Sequence, residues 1–181
     1  MFNKPKKSLG QNFLKSDKIA QEIVLSGEVC AEDMVLEVGP GEGMLTKELI
    51  KKAKKVIAVE KDERLAEFLK KKFAKEINDG KLEVVSGDIL KFNPSDYQLS
   101  AGGYKIIANI PYYITSHLLR TFLESDFQPS LMVLMVQKEV AERIVGKNNE
   151  SLLSISVKAY GEPKIIRKVP ASYFSPSPKV D

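Results

Sequence analysis

The sequence predicts an α/β fold, a mostly parallel sheet with helices on both faces. Three observations carry that expectation. Short β-rich apolar runs alternate with segments whose apolar residues recur at helical spacing, the pattern of strands joined by crossover helices. A glycine turn, GPGEG, follows the first such run directly and precedes a helical segment. The 181 residues, 43% of them apolar and 29% charged, suit one substantial domain with a real core.

In chain order, Ser16 or Asp17 caps a short helix carrying Ile19, Ile23 and Val24 on one side, ended near Gly27. The run Met34–Val38 reads as a strand, and Leu45, Leu49 and Ile50 mark the helix after the glycine turn. A strand over 56–59 and a helix over 65–73 come next, with apolar positions Leu65, Phe68, Leu69 and Phe73. Strands over 82–85 and 104–108 precede a helix through Leu118, Leu119 and Phe122, then a strand over 131–136. Beyond Gly146 the pattern predicts a helix over Leu152–Tyr160 and a last strand over 164–169. No internal repeat occurs, and the proline-rich segment 175–178 is too short for a linker.

Composition excludes several chemistries. One cysteine, Cys30, and one histidine, His117, make neither a disulfide framework, nor a four-ligand zinc site, nor a Cys/His catalytic pair; no metal is expected. No apolar run approaches the roughly 20 residues that span a bilayer, and MFNKPKKSLGQNFL lacks the apolar core of a signal peptide, so the expected location is cytoplasmic, with no membrane partner. The net charge of +4 is concentrated early, where Lys4, Lys6, Lys7, Lys15 and Lys18 face a single acid, Asp17. Such an arm suits contact with phosphates, and equally a solvated terminus. Lys70 to Lys72 and Lys75 read as the wet face of a helix.

The glycine loop is informative for its context. In LEVGPGEGMLT, Gly39, Gly41 and Gly43 sit between a strand and a helix, where glycine lets the backbone approach a ligand and the helix start offers unpaired N–H groups. The dinucleotide pattern G-x-G-x-x-G fails, since its third glycine falls at Met44, which disfavours a pyrophosphate ligand. Glu60 ends the second strand, where a carboxylate can accept bonds from ribose hydroxyls, though an exposed acid at a strand end is the plainer reading. Asp88 follows the third strand and can accept from an adenine amino group, or simply form a turn after Gly87. Three consecutive strand ends converging on one crevice suggest a cofactor that contains adenosine.

Directly after the fourth strand stands NIPYY, 109–113. Pro111 between such neighbours can merely terminate a strand. A chemical reading accounts for more of it. Methyl transfer to the exocyclic amine of adenine is hard because the nitrogen lone pair is delocalised into the ring. The Asn109 side-chain carbonyl and the Ile110 backbone carbonyl can accept the two amine hydrogens, localising that lone pair, while Tyr112 stacks on the extruded base.

On these motifs the sequence resembles the ribosomal RNA adenine dimethyltransferases. The matching pieces are KSLGQNFL (7–14), LEVGPGEGMLT (36–46), VEKD (59–62), GDIL (87–90), NIPYYIT (109–115), MVQKEVAERI (135–144) and FSPSPKVD (174–181), in family order along nearly the whole chain. The resemblance implies a Rossmann-like class I S-adenosylmethionine-dependent methyltransferase fold. It implies S-adenosyl-L-methionine as cofactor, S-adenosyl-L-homocysteine as product, and dimethylation of two adjacent adenosines near the 3′ end of small-subunit rRNA in ribosome biogenesis. Gln11, Asn12 and Leu14 would cover the cofactor, Gly39, Gly41 and Gly43 would line its methionine, Glu60 with Lys61 would hold the ribose, and Asp88 with Ile89 the adenine. Asn109 would touch both cofactor and target base, with Ile110, Pro111 and Tyr112 receiving the base and Phe174 forming its second aromatic wall. Residues alone would make Phe174 a core residue beside a turn. Lys4, Lys6 and Lys7 would meet RNA, and the partner would be small-subunit rRNA within an immature 30S particle, bound by a monomer.

The segment Gln137 to Glu139 favours the small-subunit enzymes over relatives that act on large-subunit rRNA. Alternatives are such a large-subunit enzyme, a DNA adenine methyltransferase, or an RNA-binding assembly factor with a methyltransferase fold. The sequence departs from the family at His117, where proline is common, and at 149–151, where a Tyr-Gly pair is common. It also ends at PKVD, where family members continue into a final strand, which in related methyltransferases inserts antiparallel between strands five and six, and a small helical domain. Residues 1–181 are therefore expected to form the catalytic domain with its basic arm.

Overall fold

A computed structural model of the chain describes residues 5–6, 9–146 and 151–178. A short strand β1 (Phe13–Leu14) leads into helix α1 (Asp17–Ser26), whose N-cap is Ser16, its hydroxyl accepting from the Ile19 N–H. The repeating unit follows as β2 (Met34–Val38), α2 (Met44–Lys52), β3 (Lys55–Glu60), α3 (Glu63–Lys72), α4 (Ala74–Asn78) and β4 (Leu82–Ser86). After two 3₁₀ turns come β5 (Tyr104–Asn109), a third turn at Tyr112–Ile114, α5 (Thr115–Leu123), β6 (Leu131–Met135), α6 (Lys138–Val145) and α7 (Leu152–Tyr160). A final 3₁₀ turn precedes β7 (Phe174–Ser175).

Strands β2 to β6 form one parallel sheet in the order β4-β3-β2-β5-β6. The chain winds outward from β2 through β3 to β4, then returns to the other side of β2 for β5 and β6. The topological switch point therefore lies between β2 and β5, where ligands sit in open α/β sheets. Alternate strand residues feed two cores. Val35, Val56, Ala58 and Ile107 pack under α1 and α2, whereas Leu36, Val38, Ile57, Val59, Ile106 and Ala108 pack under α5. Both faces of the central strands are buried, as their near-continuous apolar runs require. The sheet order with helices on both faces makes a doubly wound, Rossmann-like α/β fold.

The expected strand over 164–169 is absent. Strand identity comes from a ladder, and no strand among the described residues pairs with this segment; Ile165 and Ile166 lie exposed instead. An ion pair from Arg167 to Glu22 ties it to α1. The two-residue ribbon of β1 with antiparallel β7, Phe13 against Ser175 and Leu14 against Phe174, was not expected, being too short for any periodic signal.

Candidate active site

The carboxyl ends of β2, β3, β4 and β5 open into one cleft, lined by Val38 to Glu42, Val59 to Lys61, Gly87 to Ile89 and Asn109 to Ile114. Residues 9–14 line it as well. Each wall is set by local chemistry. Beyond β2 the chain turns sharply, with Gly39 at φ +67° and Gly41 at φ +59°, a region side-chain-bearing residues rarely adopt. A Cβ on Gly41 would lie 2.9 Å from the Phe13 ring. The Gly41 N–H is instead received by Glu60 Oε2 at 3.0 Å, while Glu60 Oε1 accepts from the Asp62 N–H at 2.9 Å. Glu60 thus locks the loop after β2 to the end of its own strand. Burial pushes its pKa upward, and these backbone donors oppose the rise.

Asp88 caps the 3₁₀ turn after β4, accepting from the Leu90 N–H at 3.1 Å, and pairs with Lys61 Nζ at 2.7 Å. That lysine holds the Asp88 carboxyl below its ordinary value. Ile89 is buried beneath it. After β5, the side chain of Asn109 donates from Nδ2 to the backbone carbonyl of Asn12 at 3.3 Å. Pro111 sets an extended residue before the 3₁₀ turn, Ile110 is buried, and Tyr112 is half-buried with its phenol pKa raised by desolvation. The hydroxyl therefore stays protonated at neutral pH. Among the described residues, no carboxylate or histidine reaches Asn109 by hydrogen bond.

Gln11, Asn12, Leu14, Gly39, Gly41, Glu60, Lys61, Asp88, Ile89, Asn109, Ile110, Pro111 and Tyr112 accordingly meet in one place. Three expected residues are placed differently. Gly43, at φ +79°, does not line the cleft; it starts α2, and a Cβ there would fall 2.6 Å from the Phe73 ring, so helix packing explains the glycine. Phe174 is half-buried and packs against the core, pairing with Leu14 rather than lining the cleft. The Lys6 ammonium lies 3.2 Å from Asp62, beside the cleft, rather than standing free in a basic arm. Lys4 and Lys7 lie outside the described residues.

Two residues of the site were not singled out by sequence. Glu37, the fourth of the five residues of β2, is fully buried, and among the described residues neither of its carboxyl oxygens nor the neighbouring Thr46 hydroxyl has a well-formed hydrogen bond. Desolvation pushes the Glu37 pKa up to about 8, opposed by the nearby Thr46 hydroxyl and N–H and reinforced by Glu60. The available signal was an acid interrupting the apolar run MVLEV. Asp62 is the other, a buried carboxylate capping α3 and receiving the Arg64 guanidinium at 2.7 and 3.1 Å. Among the described residues, no group of acids, histidine and cysteine could hold a metal, and no helix is long and apolar enough to cross a membrane.

Comparison with known proteins agrees with this geometry. The sequence profile of the family described as "Ribosomal RNA adenine dimethylase" matches residues 2–181. A "Ribosomal RNA small subunit methyltransferase A" of Dehalococcoides mccartyi is 46% identical over 177 residues, covering 97% of this chain and 60% of that protein. One from Clostridium perfringens is 41% identical over 179 residues, covering 97% and 61%. Among solved structures, a dimethyladenosine transferase from Plasmodium falciparum superposes with a TM-score of 0.80 at 36% identity, covering 93% of this chain and 60% of that one. The 23S rRNA methyltransferase ErmE gives 0.81 at 32%, covering 94% and 66%. The chain spans about 60% of the length of the curated relatives it matches. With its sheet order, its cleft and its sequence in agreement over nearly its whole length, the chain belongs to the ribosomal RNA adenine dimethylase family.

Proposed function

We propose that this chain uses S-adenosylmethionine to dimethylate the exocyclic amine of adenosines in small-subunit rRNA. The observation that carries the reading is the state of Asn109. Its Nδ2 is engaged by the Asn12 carbonyl, which leaves Oδ1, an acceptor, for a substrate amine. The same turn supplies the Ile110 carbonyl and the neutral Tyr112 ring.

The cleft suits the cofactor on its own chemistry. Its glycine loop brings bare backbone to the ligand, and the buried Glu37 carboxyl on its wall, close to Thr46 but without a well-formed hydrogen bond, can accept from a donor on the ligand. Gly39 and Gly41 would face the methionine moiety, Glu60 the ribose and Asp88 with Ile89 the adenine; each Glu60 oxygen retains a second lone pair beyond its backbone bond. When bound, the cofactor supplies a methyl group on a sulfonium, ready for attack by an amine.

Asn109 and Ile110 hold the amine hydrogens, which localises the nitrogen lone pair and aims it. Tyr112 clamps the base, a stacking contact worth roughly 1–3 kcal/mol. No ionised base is required before attack, because the methylated amine is cationic and loses its proton readily. One N–H remains after the first transfer, so the same acceptors orient the monomethyl product for a second. The proposed partner is an immature small-subunit particle in the cytoplasm, met by one copy of the chain.

Single-turnover assays on immature small subunits, naked small-subunit rRNA, large-subunit rRNA and duplex DNA, with mono- and dimethyladenosine resolved by mass spectrometry, test the reading. Dimethylation of the small-subunit substrates is expected. Asn109→Ala should lower the rate by about a hundredfold with little change in cofactor affinity, as for a contact realised in the transition state. Dimethylation at the wild-type rate by Asn109→Ala would overturn the role of that side chain, and preference for large-subunit rRNA would overturn the substrate.

A further inference from the structure

Residues 9–14 touch three of the four strand ends that make the cleft. Gly10, at φ +58°, lies against the loop after β5, where a Cβ would stand 3.6 Å from the Tyr113 ring and 3.7 Å from Pro111. Phe13 lies on Gly41 of the loop after β2. Gln11 reaches the end of β3, its Nε2 donating to Asp62 Oδ2 at 3.2 Å, and its Oε1 accepts from the Lys6 N–H at 2.7 Å. Lys6 Nζ donates to Asp62 Oδ1 at 3.2 Å. Asn12 sits between these anchors and gives its carbonyl to Asn109.

We propose that this strap is a working part of the catalytic site, in which Asp62 holds the strap down and the Asn12 carbonyl sets which end of the Asn109 amide meets the substrate. The catalytic consequence rests on the methyl-transfer reading of Asn109; the geometry does not.

The amide argument is one of donors and acceptors. A side-chain amide has an oxygen that accepts and a nitrogen that donates, nearly equal in size, so packing alone sets its orientation weakly. A backbone carbonyl can only accept. Nδ2 must therefore face Asn12, and Oδ1 is left for an amine hydrogen. With the strap lifted, the amide turns freely, and in half of its orientations an N–H opposes the N–H of the substrate. Asn12 and Asp62 are positioning groups: neither touches the reacting atoms.

Asp62 is built to anchor. Its side chain is fully buried, and the Arg64 guanidinium and Arg64 N–H hold it from the α3 side whether or not the strap is in place. That guanidinium, with Gln11 and Lys6, holds the carboxyl well below the usual carboxylate range, so the anchor keeps its charge at every physiological pH. The Asp62 N–H bonds Glu60, which in turn holds Gly41. The strap is thus fastened to the same rigid element that shapes the cofactor loop.

Gln11→Glu sets a carboxylate against Asp62 and should lift the strap. At saturating donor the single-turnover rate is expected to fall at least about tenfold, since displacing a reacting group by an ångström costs up to about a hundredfold. Combining it with Asp62→Asn removes the like-charge repulsion and lets the new amide donate to the new carboxylate, while its nitrogen also meets the Arg64 guanidinium, and should recover part of that loss, a rescue that simple destabilisation would not give. Hydrogen exchange of the Asn109 side-chain amide, followed by NMR on the full chain without substrate, reads the strap independently of activity. One Nδ2 proton should be protected in the wild type and lose protection in Gln11→Glu. An unprotected wild-type amide overturns the strap itself. Protection lost with no change in rate overturns its catalytic part, while a chain inactive on every RNA yet protected at Asn109 overturns the methyl-transfer reading and leaves the strap standing.

Discussion

Glu37 shows how a single residue links the site to stability. Its pKa moves from an ordinary 4.5 to about 8 because folding removes the carboxyl from water, and the nearby Thr46 hydroxyl and N–H offset only part of that loss. Between those values the folded chain binds more protons than the unfolded chain, so stability from this group is fully present below pH 4.5 and is lost as pH rises through 8. Glu37→Gln, which mimics the protonated acid, should remove that slope. Urea unfolding of variant and wild type should agree near pH 4.5 and differ by a few kcal/mol near pH 8, the variant being the more stable. Equal slopes would mean that Glu37 finds a donor in the folded chain.

Among elements, α2 starts without a side-chain cap, as do α4, α5 and α6. Gly43 occupies the N-cap position in left-handed conformation, and no hydroxyl or carboxylate receives the first N–H groups. The position is fixed by packing, since the Phe73 ring and Leu69 lie where a Cβ would go. Gly43→Ala therefore meets both backbone strain and overlap with α3, and should cost about 2–4 kcal/mol in denaturant unfolding, well above the roughly 1 kcal/mol of a lost cap. A loss under 1 kcal/mol would show that α3 shifts freely. The ribbon of β1 and β7 works at the same scale, because it fastens the strap at Leu14 to the segment bearing Phe174, and the Lys15 N–H extends it to the Tyr173 carbonyl at 2.8 Å.

For the whole molecule, two of the early lysines are already engaged by acids of the chain. Lys6 is held by Asp62 and Lys15 pairs with Glu42 of the glycine loop. A cation that is paired internally displaces fewer counterions from RNA. Lys6→Met should thus flatten the log-log salt dependence of RNA binding by well under about one phosphate contact and weaken cofactor binding instead. A slope that falls by a full contact in Lys6→Met, with cofactor affinity unchanged, would place Lys6 on the RNA.

Most of the fold was legible because its signals are local. A serine before a helix, apolar runs between amphipathic segments and glycines at a strand end act over a few residues, and the sequence by itself determined α1, α2, α3, α5 and α7, the five parallel strands and the convergence of the glycine loop, Glu60, Asp88 and NIPYY, but not α4 or α6. The expected strand over 164–169 has the right residues, but strands exist by pairing and its partner is not written into its own sequence. Only the tertiary structure decided that Phe73 and Leu69 fill the space beside Gly43, that Glu37 is buried without a well-formed hydrogen bond, and that residues 9–14 close over the cleft on Asp62. Each joins residues that are far apart in the chain, and periodicity and local propensity carry no information about such neighbours.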